Sequence, residues 1–225
     1  MCGICGELRL DGAPPDTGAV ERMSAALARR GPDDRGLHLD GPLALGHRRL
    51  AIIDLSPRSH QPMVDEEAGL ALVFNGTIYN YKELRTELLA EGYRFASDGD
   101  TEVILKAYRR WGDACVDHLY GMFAFALWDR HRGELLLARD RIGIKPLYFA
   151  QTAGAFRFAS TVPALLASGG IDTRIDPIGL HHHLTLHAVV PAPRTVLEGV
   201  RKVEPATTLT VARTGTTRTR RYWPL

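Results

Sequence analysis

A cysteine stands at position 2, directly behind the first methionine. Removal of Met1 would leave a thiol and a free α-amine on one carbon. An N-terminal amine titrates near ~8 and a free thiol near ~8.5. A general base is most useful when its pKa lies near the working pH. One residue can then supply both nucleophile and base, as where an N-terminal amine serves a threonine hydroxyl. The bland alternative is a cysteine placed there with no chemical role.

Other reactive side chains point elsewhere less well. Cys2 and Cys5 form a C-x-x-C, but the stretch from Gly3 to Leu10 reads as a strand, in which residues three apart face opposite sides. Only Cys115 could add a further thiolate, so a four-cysteine zinc site is excluded within one chain. An odd, small cysteine set also argues against a disulfide framework. Cys5 is expected to be a small packed residue. His181, His182, His183 and His187 suggest a metal cluster, and His183 and His187 would share a helix face. Leu-Thr-Leu separates them, so the zincin pattern is missing, and no metal is expected. Ser168-Gly169-Gly170-Ile171-Asp172-Thr173 looks like a phosphate-cradling loop. It follows a proline-bearing, helix-like stretch rather than a buried strand, and a plain loop is expected.

The elements that must position Cys2 fit one globular body. The chain has 225 residues, 45% hydrophobic and 24% charged, with a net charge of +2 from 28 basic and 26 acidic residues. Nothing in that balance calls for nucleic acid or a membrane surface. No apolar run approaches the ~18 residues of a membrane span, and no signal peptide opens the chain. A cytoplasmic location is expected.

Helices are expected at 18–30, 79–91, 101–111, 162–167 and 177–184. Leu84, Leu88 and Leu89 are expected to share one face of the second. Asp100 is a good N-cap for the third. Strands are expected at 3–10, 43–50, 51–55, 70–74, 121–128, 134–138, 146–150, 155–160, 207–212 and 217–223. Residues 30–34 read as a turn-rich loop. Asn75-Gly76 closes the strand at 70–74 and has the composition of a type I′ hairpin turn. Many antiparallel-looking strands with a few amphipathic helices give an α+β layered class.

Several stretches in fixed order carry a resemblance. They are MCGI at the start, RGPDDRG at 30–36, LGHRRLAIIDL at 45–55, FNGTIYNY at 74–81 and DTEVILKAY at 100–108. GMFAFALWD at 121–129, ARDRIGIKPLY at 138–148 and RYW at 221–223 complete the set. The chain resembles the N-terminal glutaminase domain of glutamine-hydrolysing asparagine synthetase, a class II glutamine amidotransferase. The resemblance covers nearly the whole chain, so residues 1–225 are expected to form one such domain, with the synthetase domain absent. It implies a four-layer αββα sandwich of the N-terminal nucleophile type.

The resemblance also implies a reaction and a site. L-Glutamine would be hydrolysed to glutamate and ammonia through a γ-glutamyl thioester on Cys2. Asn75 and Gly76 match the oxyanion hole, through the asparagine amide and the glycine N–H. Neutral donors aimed at developing negative charge are each worth about 3 kcal/mol. Arg49 matches the residue that grips the α-carboxylate of glutamine, and a guanidinium suits that pairing. Arg48 would point the other way. Backbone groups of Leu50, Ile52 and Ile53 are implied in substrate binding. Asp100 matches the acceptor of the α-ammonium group, alongside its reading as an N-cap.

The resemblance implies no cofactor in this chain; ATP and magnesium would belong to the synthetase domain or partner. The expected partners are L-glutamine and a synthetase domain or subunit that receives ammonia, with a homodimer left open. Three departures stand out. Thr77 occupies the place of a glutamate that helps hold the ammonium group. Thr161 replaces a common acid, and Glu204-Pro205-Ala206 stands where Pro-Gly is preferred. Thr77 leaves open a second reading, a catalytically weakened interaction module of the same fold. The ammonia acceptor is also open between aspartate and a specialised metabolite.

Overall fold

The computed structural model describes residues 1–224. In chain order its strands are β1 Gly3–Arg9, β2 Asp34–Asp40, β3 Leu43–Arg49, β4 Met63–Asp65, β5 Leu70–Ile78 and β6 Gly121–Asp129. They continue as β7 Glu134–Arg139, β8 Tyr148–Gln151, β9 Ala155–Ala159, β10 Arg201–Lys202, β11 Thr207–Ala212 and β12 Thr217–Arg221. The helices are α1 Thr17–Ala26, α2 Tyr81–Ala90, α3 Asp100–Trp111, α4 Cys115–His118, α5 Val162–Ala167 and α6 Pro177–Thr185.

The strands form two antiparallel sheets, ordered β10-β8-β9-β1-β3-β2 and β12-β11-β7-β6-β5-β4. Side-chain alternation along each strand divides the apolar residues among three layers. Ile4, Leu8, Leu43 and Leu45 of the first sheet meet Ala71, Val73, Ala124 and Ala126 of the second in the seam between sheets. Leu72, Phe74 and Leu127 turn outward against Val103, Ile104 and Leu88 of α3 and α2. Cys5, Ala44 and Ala159 turn outward against Val20 and Met23 of α1 and Leu165 of α5. The result is the expected order helix, sheet, sheet, helix.

The same alternation decides which polar residues face the seam. Cys2 shares the parity of Ile4, Arg49 that of Leu45, and Asn75 and Thr77 that of Val73. These positions extend the apolar stripe of each strand toward one end of the sandwich, where the seam becomes polar. Arg48, of opposite parity, donates through Nε to the Ser24 carbonyl and hydroxyl at 3.1 Å on α1. Cys5 likewise turns its sulfur toward the Val20 carbonyl on α1.

Several expectations are corrected. The strand expected at 70–74 runs on to Ile78, so Asn75-Gly76 is not a turn but pairs with Ala124 and Phe123 of β6. A Cβ on Gly76 would stand 2.3 Å from the Met122 carbonyl oxygen, so close strand approach, not turning, requires glycine there. Residues 51–55 form a loop rather than a strand. Leu89 is 49% exposed and leaves the face that Leu84 and Leu88 bury. Residues 34–40, expected partly as loop, form the edge strand β2.

The first helix ends at Ala26 rather than residue 30, and the chain turns in to lie on β3. A Cβ on Gly31 would stand 2.3 Å from the Arg48 carbonyl. Gly99, not Asp100, caps α3, and Asp100 is its first residue.

Two of the sequence departures have local explanations. Thr161 caps α5 by accepting the Ala164 N–H, a task an acid could equally perform. Ala206 sits at φ +54°, the left-handed region that favours glycine. The Ser168–Thr173 stretch follows α5 as a loop, as expected. Among the described residues, no cluster of His, Cys, Asp or Glu has a metal-binding arrangement. No helix among the described residues is long and apolar enough to cross a membrane.

Candidate active site

At the polar end of the seam lies a cavity of about 130 Å³. Its walls include every residue expected at the site: Cys2 from just before β1, Arg49 from the end of β3, and Leu50, Ile52 and Ile53 from the following loop. Asn75, Gly76 and Thr77 come from β5, and Asp100 from the start of α3.

Cys2 is held by backbone. Its sulfur accepts the Leu50 N–H at 3.3 Å and lies 3.6 Å from the Leu50 carbonyl. Burial pushes the thiol pKa up, while the Leu50 hydrogen bond, the N-terminus and Arg49 pull it down. Arg30 donates through Nε to the Cys2 carbonyl at 3.0 Å and fixes the first peptide. The other two cysteines are fully buried, and burial raises their thiol pKa values, Cys5 to about 12. Only the Cys2 thiol among them reaches the cavity.

Strand β5 supplies two donors. Asn75 is 1% exposed, and its Nδ2 has no hydrogen-bond partner among the described residues. A buried amide without a partner costs about 1–3 kcal/mol, so an acceptor entering the cavity would relieve it. Gly76 supplies the second donor by its position on the strand edge. Its partner Phe123 turns both N–H and C=O toward Asp140 on the β7 side, so the Gly76–Phe123 pair exchanges no bonds. The flanking N–H groups on the Gly76 edge go to side chains: Phe74 N–H to Gln61 Oε1 at 2.7 Å, and Ile78 N–H to Asp100 Oδ2 at 3.0 Å. The Gly76 N–H therefore faces the cavity between them.

Charges of opposite sign stand apart in the same cavity. Arg49 is buried, and its guanidinium donates to the Ser56 carbonyl at 3.1 Å and to the Asp54 carbonyl. These bonds fold residues 50–56 into a loop over the site and explain why the apolar run there does not form a strand. Asp54 sits at φ +49°, and its carboxylate accepts the Ser56 N–H, the Ser59 hydroxyl and the Asp98 N–H. Hydrogen bonding, that to Ser56 foremost, holds it well below the usual carboxylate range. Asp98 itself pairs with Arg58 and Arg85 and does not line the cavity. Asp100 has no cationic partner within 4.0 Å among the described residues, and burial raises its pKa to about 6. Thr77 brings no charge.

The arrangement offers a nucleophilic sulfur, two neutral donors, a cation and an uncompensated acid. It suits a small zwitterion with a carbonyl to be attacked. The structure adds residues that sequence reasoning did not place here: Gln61, which bridges β5 and Thr101, and Arg30 and Lys145, which flank Cys2. Arg30 and Lys145 lie inside stretches that carried the resemblance, but spacing alone gave no sign of their approach to Cys2.

The sequence matches the glutamine amidotransferase domain family over residues 1–223. It is 37% identical over 226 residues to asparagine synthetase [glutamine-hydrolyzing] 3 of Bacillus subtilis (strain 168), covering 99% of this chain and 36% of that protein. It is 38% identical over 214 residues to asparagine synthetase [glutamine-hydrolyzing] 1 of the same organism, covering 94% of this chain and 33% of that protein. The chain thus spans about a third of the length of these relatives. Its fold is similar to that of glutamine phosphoribosylpyrophosphate amidotransferase from B. subtilis complexed with ADP and GMP. The TM-score is 0.73 at 21% identity, over 99% of this chain and 49% of that one.

Proposed function

The chain belongs to the class II glutamine amidotransferase family, and on that premise we propose that it hydrolyses L-glutamine to glutamate and ammonia through a thioester on Cys2. The observation that carries this reading is the buried, unpartnered Asn75 Nδ2 in the cavity that holds the Cys2 sulfur.

With Met1 removed, the α-amine of Cys2 takes the thiol proton, and the sulfur attacks the side-chain amide carbon of glutamine. The carbonyl oxygen becomes an oxyanion and is met by Asn75 Nδ2 and the Gly76 N–H. The proton held on the amine passes to the departing nitrogen, ammonia leaves, and a γ-glutamyl thioester remains. The amine then takes a proton from water as that water attacks the thioester carbon. The second oxyanion collapses, the sulfur departs with the proton, and glutamate is released. Arg49 grips the α-carboxylate and Asp100 the α-ammonium group. Leu50 N–H steadies the sulfur when it carries charge, and Ile52 and Ile53 cover the substrate from the loop.

The ammonia serves a synthetase domain or subunit of the asparagine synthetase type, with ATP and magnesium held there rather than in this chain. Thr77 favours weaker glutamine binding than a glutamate in its place would give, because the ammonium group meets one carboxylate instead of two. The test is labelling by a glutamine analogue with an electrophilic side chain. Mass analysis of the N-terminal peptide should find one adduct, on Cys2, prevented by excess glutamine. Labelling that ignores glutamine would overturn the assignment.

A further inference from the structure

Lys145 is the charged side chain lining the cavity that the reaction above leaves without a task. It is 5% exposed and lines the same cavity as Cys2. Its Nζ meets the Met1 sulfur at 3.2 Å, and no carboxylate lies within 4.0 Å of it among the described residues. A buried cation without an acid partner is costly, so a fold that keeps one must hold it in place.

The loop around Lys145 does so. Asp140, fully buried, accepts the N–H groups of Phe123, Ile144 and Lys145 at 2.8–3.1 Å. Arg139 donates to the carbonyls of Gly143, Lys145 and Val203 at 2.7–2.8 Å. Gly143 turns the loop at φ +71°. The stretch ARDRIGIKPLY is thus a mount that aims one ammonium group at the N-terminus.

We propose that Lys145 is a positioning residue of the glutaminase reaction. Its ammonium, seated beside the N-terminus, keeps the α-amine of Cys2 unprotonated and ready to accept the thiol proton. The inference rests on the function proposed above. Nζ contacts the Met1 side chain, which departs with Met1, and lines the same cavity as Cys2. A second positive charge there is unfavourable, so the amine resides in its base form at neutral pH. The other charged and titratable groups around the pair are the Cys2 thiol, Arg30 behind α1, Arg49 at the end of β3, Asp100 at the start of α3, Asp140 and Tyr148. Arg30 and Arg49 add to the effect of Lys145; Asp100, Asp140 and the Cys2 sulfur in its thiolate form oppose it. Burial, then Arg30, lowers the Lys145 pKa, and Asp140 and Cys2 counter that.

The test is the pH profile of kcat for glutamine hydrolysis, with Met1 removed by methionine aminopeptidase. In the bound complex Asp100 is neutralised by substrate, so the acid limb reports the amine. Lys145→Met should move that limb up by about one pH unit, the direction that loss of a neighbouring positive charge gives. Lys145→Arg should leave it in place. A Lys145→Met limb that overlays the wild type, or an equal shift in Lys145→Arg, would overturn the proposal.

A second measurement needs no activity. In Cys2→Ala protein, the 13C shift of the α-carbon at position 2 titrates the amine directly. Its pKa should fall below the ordinary ~7.7–8.0 and rise when Lys145→Met is added. An ordinary value that ignores Lys145 would sink the proposal even if glutamine is hydrolysed. The expected titration would support it even if glutamine proves not to be the substrate.

Discussion

Asp100 Oδ2 accepts the N–H of Ile78 at 3.0 Å, two residues beyond Gly76 on the same edge of β5. This bond ties the start of α3 to the strand that carries both proposed oxyanion donors. It also holds the acid in place beside the Gly76 N–H. On the other side of Gly76, Gln61 takes the Phe74 N–H and so closes the edge there. One N–H between two satisfied neighbours is left facing the cavity.

Asp100 should make glutamine binding pH-dependent. Its pKa in the empty site is raised to about 6, and only the ionised form can hold an ammonium group. The KM for glutamine is expected to rise as pH falls through 6, with kcat changing less. A KM that is flat between pH 5 and 7.5 would contradict this role.

The same acid should cost stability. A carboxyl with a usual pKa of 3.8, raised to about 6 by folding, leaves the folded state unaffected below 3.8 and penalised once pH passes 6. The penalty is of order 3 kcal/mol. Asp100→Asn is therefore expected to raise the Tm of the unliganded protein at pH 8 and not at pH 3.5, while weakening glutamine binding at least tenfold. Thermal unfolding at the two pH values, with and without glutamine, checks both halves.

Asn75→Ala removes a donor that acts on charge formed in the transition state. A fall in kcat of about 10²–10³-fold with little change in KM is expected. Stability should not drop, because the amide it removes is unpartnered. A change confined to KM would assign Asn75 to ground-state binding.

Thr77→Glu restores a second acid to a cavity that holds Asp100 alone on that side. The KM for glutamine is expected to fall several-fold. An unchanged KM would show that Thr77 is not what limits affinity.

The ordered motifs and the resemblance they carry name most of the site residues, and strand alternation adds which neighbours face apart. Parity sets Arg48 opposite Arg49 and Cys5 opposite Cys2; the resemblance selects Arg49, and its place behind Met1 selects Cys2. Asn75-Gly76 shows where local composition misleads. The dipeptide has turn chemistry, yet β6 runs so close that glycine is needed within the strand. Residues 51–55 mislead in the opposite way. Their apolar run suits a strand, but the Arg49 guanidinium binds the carbonyls of Asp54 and Ser56 and folds the segment into a loop. Ile52 and Leu55 remain 70% and 74% exposed. Such a contact depends on a side chain's long reach, which periodicity does not encode. Lys145 was hidden for the same reason: 143 positions separate it from Cys2, and only the paired strands bring them together.

The central claim is that Cys2, with its own amine, hydrolyses glutamine. It is tested most directly by glutamate and ammonia release from glutamine by the purified chain, with N-terminal mass analysis and Cys2→Ala as control. Equal amounts of the two products, formed only when Cys2 is intact and Met1 is gone, are the expected result. A chain that begins at Cys2 and releases neither product, alone or with a synthetase partner, would contradict the claim.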